Sequence, residues 1–74
     1  MSSEATKILS ESIGKIVLIK LRGDKSLRGK LKSFDIHLNI VLDDAEEIKD
    51  DGTMRKLGTV VIRGENVVLI SPVG

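Results

Sequence analysis

The sequence predicts a mainly β domain: a short N-terminal helix resting on a strongly bent, five-stranded antiparallel open barrel. Three observations predict it. Nearly all the apolar residues are Ile, Val and Leu, with Phe34 the only aromatic, a bias that favours strands. Residues 26–34 alternate cleanly, with Leu27, Gly29, Leu31 and Ser33 on one side and Arg28, Lys30 and Lys32 on the other, the period of a half-buried strand. Short turn sequences separate the β-like runs, among them the Asp51-Gly52 dipeptide that favours positive φ. So few residues in five bent strands make a small barrel rather than a sandwich.

The helix is expected over residues 4–12. Ser3 can cap it, Glu4 suits the positive end of its dipole, and Gly14 is placed to end it. Ala5, Ile8, Leu9, Ser12 and Ile13 form one stripe at spacings of three and four. Nine residues are marginal as a free helix, so this stripe must rest on the barrel.

Strands are expected at 15–21, 26–34, 38–48, 53–62 and 66–70. Arg22-Gly23-Asp24-Lys25 and Lys49-Asp50-Asp51-Gly52 read as turns, and Arg63-Gly64-Glu65 as the tight link into the last strand, which Pro72 should stop. Gly29 in mid-strand implies a bend or a close backbone approach. The last two strands carry apolar segments, Val60–Ile62 and Val67–Ile70, without the lysines that protect a free edge. Pairing of one copy's fourth strand with the next copy's fifth would be heterologous and can close a ring.

Size supports association. The 74 residues are read as one domain, 1–74. A chain this short buries only about 60% of its unfolded surface, and small domains make up the deficit with disulfides, metals or partners. There are no cysteines and one histidine, so disulfides, thiolate catalysis, cysteine zinc sites and His-based metal sites are not expected, nor is any cofactor. No run approaches the roughly 18 apolar residues that cross a bilayer, and no signal-peptide pattern opens the chain. A soluble, cytoplasmic protein without membrane association is expected.

The net charge of +1 says little about partners. Its distribution says more: residues 1–33 hold eight Lys/Arg against three Asp/Glu, and residues 34–74 hold four against eight. That permits one basic and one acidic surface, although strand faces of mixed charge explain it equally well.

Candidate chemistry concentrates in two turn segments, Asp35-Ile36-His37-Leu38-Asn39 and Arg63-Gly64-Glu65-Asn66. If the first is extended, Asp35, His37 and Asn39 point to one side. Asn39 offers a donor and an acceptor that match the edge of a uracil ring, and Asp35 can hold its amide in one orientation. The His37 imidazole and the planar Arg63 guanidinium can sandwich a base, replacing an aromatic platform. Gly64 lets backbone approach a ligand closely. Each residue taken alone has a plainer role, as turn geometry for Asp35 and Asn39, a strand cap for His37, or a Glu65 partner for Arg63. The set carries the reading.

Catalysis is not expected. Ser33, Asp35 and His37 at same-strand spacing do not build a nucleophile–base–orienter array. The carboxylates Asp43, Asp44, Glu46 and Glu47 lack calcium-loop spacing, and no glycine pattern matches a phosphate-binding loop.

At these segments the sequence resembles the Sm and Sm-like (LSm) proteins, particularly their archaeal branch. The first signature is matched by Leu21-Arg22-Gly23, Leu27-Arg28-Gly29-Lys30-Leu31, Phe34-Asp35-Ile36-His37-Leu38-Asn39-Ile40-Val41-Leu42 and Asp44-Ala45-Glu46-Glu47. The second is matched by Gly58-Thr59-Val60-Val61-Ile62-Arg63-Gly64-Glu65-Asn66-Val67-Val68. The resemblance implies the Sm-like fold, an SH3-like barrel, assembled through strands four and five into a homo-oligomeric ring, typically a heptamer. It implies uridine-rich single-stranded RNA bound at the inner rim and a ribonucleoprotein role in RNA processing, where protein partners would fit. On the matching positions, His37 and Arg63 would stack the base, Asn39 would read it, Asp35 would orient Asn39 and Gly64 would supply backbone contact. Leu38 departs from the methionine common in the family, a change of similar volume. The rival reading is an SH3-like protein-interaction module, but such barrels use aromatic grooves that one phenylalanine cannot line.

Overall fold

The capping chemistry read from the sequence is realised in the computed structural model, which describes residues 3–73. Residues 1, 2 and 74 of the expected 1–74 domain lie outside the described residues. Helix α1 spans Glu4–Ser12, and the Ser3 hydroxyl accepts the Thr6 amide at 3.1 Å. Gly14, at φ +83°, turns the chain away, and its N–H donates to the Leu31 carbonyl at 2.8 Å, tying the helix end to the sheet. The expected apolar stripe is only half used. Leu9 and Ser12 are buried, whereas Ile8 and Ile13 remain exposed. Burial of Ser12 is tolerated because its hydroxyl donates to the Ile8 carbonyl at 2.8 Å.

Five strands follow: β1 Ile16–Leu21, β2 Lys25–Phe34, β3 Ile40–Ile48, β4 Met54–Ile62 and β5 Val67–Pro72. They pair antiparallel in the order β4-β3-β2-β1-β5. Their inner faces enclose Val17, Ile19, Leu27, Leu31, Ile40, Leu42, Ala45 and Ile62, with Leu9 of α1 capping the cluster.

Three expectations need correction. The third strand begins at Ile40 rather than at residue 38, because Leu38 sits at φ +60°, which no strand accommodates. The fifth begins at Val67 because Asn66 closes a 3₁₀ turn, Gly64–Asn66; Pro72 is its last paired residue, opposite Val17. Ser33 is exposed, not inward, because the β2–β3 register shifts between Leu31 and Ser33 and inverts the alternation.

Gly29 marks a close backbone approach, as its position predicts. A Cβ there would lie 3.1 Å from both the Ala45 Cα and the Asp43 carbonyl oxygen. The acidic stretch of β3 is answered by its neighbours: Glu46 lies opposite Arg28 and Lys56, Glu47 opposite Arg55, and Asp43 accepts the Thr59 hydroxyl at 2.9 Å. Basic β2 and acidic β3 are thus interleaved, and the mixed-charge reading holds for these strands. Among the described residues no Asp/Glu/His cluster is arranged to hold a metal, and no helix is long and apolar enough to cross a membrane.

The topology leaves β4 and β5 as the two sheet edges, the pair singled out by their unprotected apolar sequences. Val61 on β4 is 72% exposed, and Val68 and Leu69 on β5 are also exposed.

Candidate functional site

The turn from β2 into β3 is built around one carboxylate. Asp35 Oδ1 accepts the backbone N–H of His37 at 2.9 Å and of Asn39 at 3.0 Å, while Oδ2 accepts the Asn39 side-chain amide at 3.0 Å. The backbone closes the same turn, with Leu38 N–H donating to the Asp35 carbonyl at 3.0 Å and Asp35 N–H to the Asn39 carbonyl at 3.1 Å. The segment is therefore a tight turn, as its place between the strands implies, and because it is not extended, spacing of two is not what brings its side chains together. Short polar residues that bond their own backbone favour such turns. These bonds hold the Asp35 carboxyl below the ordinary carboxylate range, the Asn39 side-chain amide contributing most and its backbone N–H next.

The link from β4 to β5 is the 3₁₀ turn entered through Arg63. Asn66 N–H donates to the Arg63 carbonyl at 3.0 Å, and Arg22 N–H donates to the Asn66 carbonyl at 2.9 Å, anchoring the turn to the end of β1.

Strand pairing places these two turns side by side, since Ile40 of β3 lies opposite Ile62 of β4. Across the junction Gly64 N–H donates to Asn39 Oδ1 at 2.9 Å, joining residues 25 apart in sequence. Gly64 has no room for a side chain: a Cβ there would collide with the His37 carbonyl oxygen. The Cβ direction of this glycine is filled by the His37-Leu38 backbone, so Gly64 serves turn-to-turn packing, and its N–H is committed to Asn39.

Together the contacts fix the Asn39 amide. A carboxylate only accepts and a backbone N–H only donates, so Nδ2 must face Asp35 and Oδ1 must face Gly64. One Nδ2 hydrogen and one Oδ1 lone pair remain for a ligand.

His37, Asn39, Arg63, Gly64 and Glu65 line one open cleft. Four of the five residues singled out from the sequence thus converge. Asp35 lines an adjoining depression with Ser33, Phe34, Val41 and Val61, which Asn39 and Arg63 border as well. In the sequence Glu65 reads as an ion-pair partner for Arg63. The pair exists, with Oε1 3.5 Å from the Arg63 Nε, but Glu65 also lines the cleft. Its place two residues after Arg63 in one tight turn was the available signal.

Comparison with known proteins agrees with both fold and signatures. The LSM domain family model matches residues 7–72. The snRNP Sm-like protein of Methanococcoides burtonii is 46% identical over 72 residues, covering 97% of this chain and all of that protein. That of Thermococcus kodakarensis is 45% identical over 73 residues, covering 99% and 96%. Among solved structures, the P. aerophilum SmAP1 heptamer superposes with a TM-score of 0.93 at 53% identity, covering 100% of this chain and 99% of its own. The Sm protein of Pyrococcus abyssii in complex with a uridine heptamer gives 0.89 at 42% identity, covering 96% and 100%. With both signatures in place on a helix and five bent antiparallel strands, the chain belongs to the Sm-like (LSM) family.

Proposed function

We propose that this protein assembles into a homo-oligomeric ring, a heptamer, that binds uridine-rich single-stranded RNA at its inner rim and acts as a scaffold or chaperone in RNA processing. The observation that carries the reading is the cleft. It gathers an imidazole, a guanidinium and an amide of fixed orientation from two turns far apart in sequence.

A uracil presents N3–H beside a carbonyl. The free Oδ1 lone pair of Asn39 accepts the first and the free Nδ2 hydrogen donates to the second. His37 and Arg63 stack the two faces of the ring. Asp35 acts indirectly, through Asn39.

Assembly belongs to the same reading. Stacking contributes about 1–3 kcal/mol per base, so a single cleft binds weakly. Identical clefts around one pore make later contacts intramolecular, which raises avidity by roughly 10² to 10⁴. The free apolar edges β4 and β5 provide the means of closure, and the related P. aerophilum protein is a heptamer. A bound uridine heptamer in the Pyrococcus abyssii relative supports the choice of ligand.

Native mass spectrometry combined with anisotropy titrations tests the proposal. A ring that prefers oligouridine to oligocytidine and oligoadenosine of equal length is expected. A monomer, or a ring indifferent to base identity, would refute it.

A further inference from the structure

Glu65 is out of place in a cleft that receives a polyanion. Asp35, the other nearby carboxylate, has its oxygens engaged by three N–H groups of its own turn. Glu65 has no such engagement with its loop. Its ion pair with Arg63 uses Oε1 alone, at 3.5 Å, with the two side chains 68% and 78% exposed, so solvent screens it heavily. A site built only to attract phosphate gains nothing from a carboxylate that offsets its one guanidinium.

A carboxylate is an acceptor, so the useful question is which donors the ligand offers. A uridylate inside an RNA strand has two: the uracil N3–H and the ribose 2′-hydroxyl. Every other polar atom is an acceptor or an anionic oxygen, because O3′ and O5′ are esterified. Asn39, with its amide fixed by Asp35 and Gly64, takes N3–H in the reading above. One donor remains.

Building on that reading, we infer that Glu65 accepts a hydrogen bond from the ribose 2′-hydroxyl of the bound uridylate and makes the cleft selective for RNA over DNA. A deoxyuridylate leaves the carboxylate beside phosphates with no donor to take. The 2′-hydroxyl is the group by which a protein tells the two nucleic acids apart, and here the acidic residue supplies the matching acceptor. Selectivity for the base then resides in the turn between β2 and β3, and selectivity for the sugar in the turn between β4 and β5.

The test is the ratio of affinities for uridine and 2′-deoxyuridine trimers, measured with the assembled protein and with Glu65→Ala. A 2′-fluoro-uridine trimer serves as control, since it keeps an RNA-like sugar pucker but has no 2′ donor. The unaltered protein is expected to favour the ribose trimer by about tenfold or more, as a hydrogen bond to a charged group implies. It should treat the fluoro trimer like the deoxy one, and in Glu65→Ala the ratio should fall to within about twofold of unity. If Glu65 instead only steadied Arg63, both affinities would drop together and the ratio would survive, which overturns the inference. Equal binding of the ribose and fluoro trimers overturns it too. Asn39→Ala separates the two levels of argument. Loss of both trimers in that variant, with a ratio untouched by Glu65→Ala, sinks the sugar assignment alone. Unaltered protein that binds neither trimer sinks the reading of the cleft and the sugar assignment with it.

Discussion

Asn39 Oδ1 accepts the Gly64 amide at 2.9 Å, and through this bond the turn after β2 sets the position of the turn after β4. The same side chain donates to Asp35 at 3.0 Å, so one amide both joins the turns and presents its remaining donor and acceptor to the cleft. In the proposed reading, recognition and local architecture are therefore coupled at this residue. Asn39→Ala should weaken oligouridine binding by at least tenfold while the ring still forms, because β4 and β5 are untouched. It should also cost about 1–3 kcal/mol of stability through the stranded Gly64 N–H. Titration, native mass spectrometry and thermal melting report the three effects separately, and unchanged affinity would count against the pocket.

Gly64→Ala tests the same junction from the opposite side. The added methyl would overlap the His37 carbonyl oxygen, a backbone atom that cannot swing aside as a flexible side chain can. The turns must part, at a cost of about 1–3 kcal/mol, and the Asn39 amide loses its fixed pose. Lower melting temperature together with weaker oligouridine binding is expected. A variant with wild-type values for both would show that the junction is loose.

Much of this was legible in the sequence because it depends on local chemistry. Ser3 and Glu4 announce the helix start, the alternation of β2 announces its inner face, and Asp51-Gly52 announces a hairpin turn. What escaped was long-range or depended on register. The outward turn of Ser33 follows from a register shift between paired strands, which one strand's pattern does not contain. Leu38 at φ +60° is held there by the Asp35 bonds around it, and leucine itself gives no warning. The convergence of His37 and Arg63 follows from the set of residue types, but the packing of Gly64 against the adjoining turn does not, because that contact joins segments far apart in sequence.

Gly29 should be the most sensitive backbone position in the sheet. A methyl there would meet the Ala45 Cα and the Asp43 carbonyl at 3.1 Å and the Leu42 Cβ at 3.3 Å, two of them main-chain atoms of the adjacent strand. Gly29→Ala should destabilise the fold by about 1–3 kcal/mol through overpacking without altering the cleft. Denaturant unfolding gives the first quantity. Oligouridine affinity, measured well below the melting temperature, should stay near wild type; a large loss would mean that the bend of β2 controls the site.

Acid should loosen the turn around Asp35 in a defined window. Its carboxyl titrates below the ordinary aspartate range, so its contribution is fully present above the unfolded value and is lost as pH falls through the lower folded-state value. Asp51, lowered by the hydrogen bonds from Thr53, adds to the same window. Asp35→Asn removes the titrating group, so the stability gap between wild type and variant should narrow as pH drops below about 4. Parallel unfolding curves down to pH 2 would show that the Asp35 bonds contribute nothing to folding.

Assembly should fail when either free edge is charged. Val61 on β4 is 72% exposed and Val68 on β5 is 59% exposed, and both lie on edges that no strand among the described residues covers. Antiparallel pairing of β4 with the next copy's β5 would bring the end of one strand beside the start of the other, so the two valines would be buried together across the joint. A lysine at such a position is the device natural sheets use to prevent edge pairing. Val61→Lys and Val68→Lys should therefore each convert the ring into monomers by native mass spectrometry. Oligouridine affinity should fall by roughly 10² to 10⁴ as avidity disappears. Because Val61 also lines a depression that Asn39 and Arg63 share, Val68→Lys is the cleaner of the two. An intact ring in the Val68 variant would mean that the copies meet through some other surface, and the apolar β5 edge would then need a different explanation.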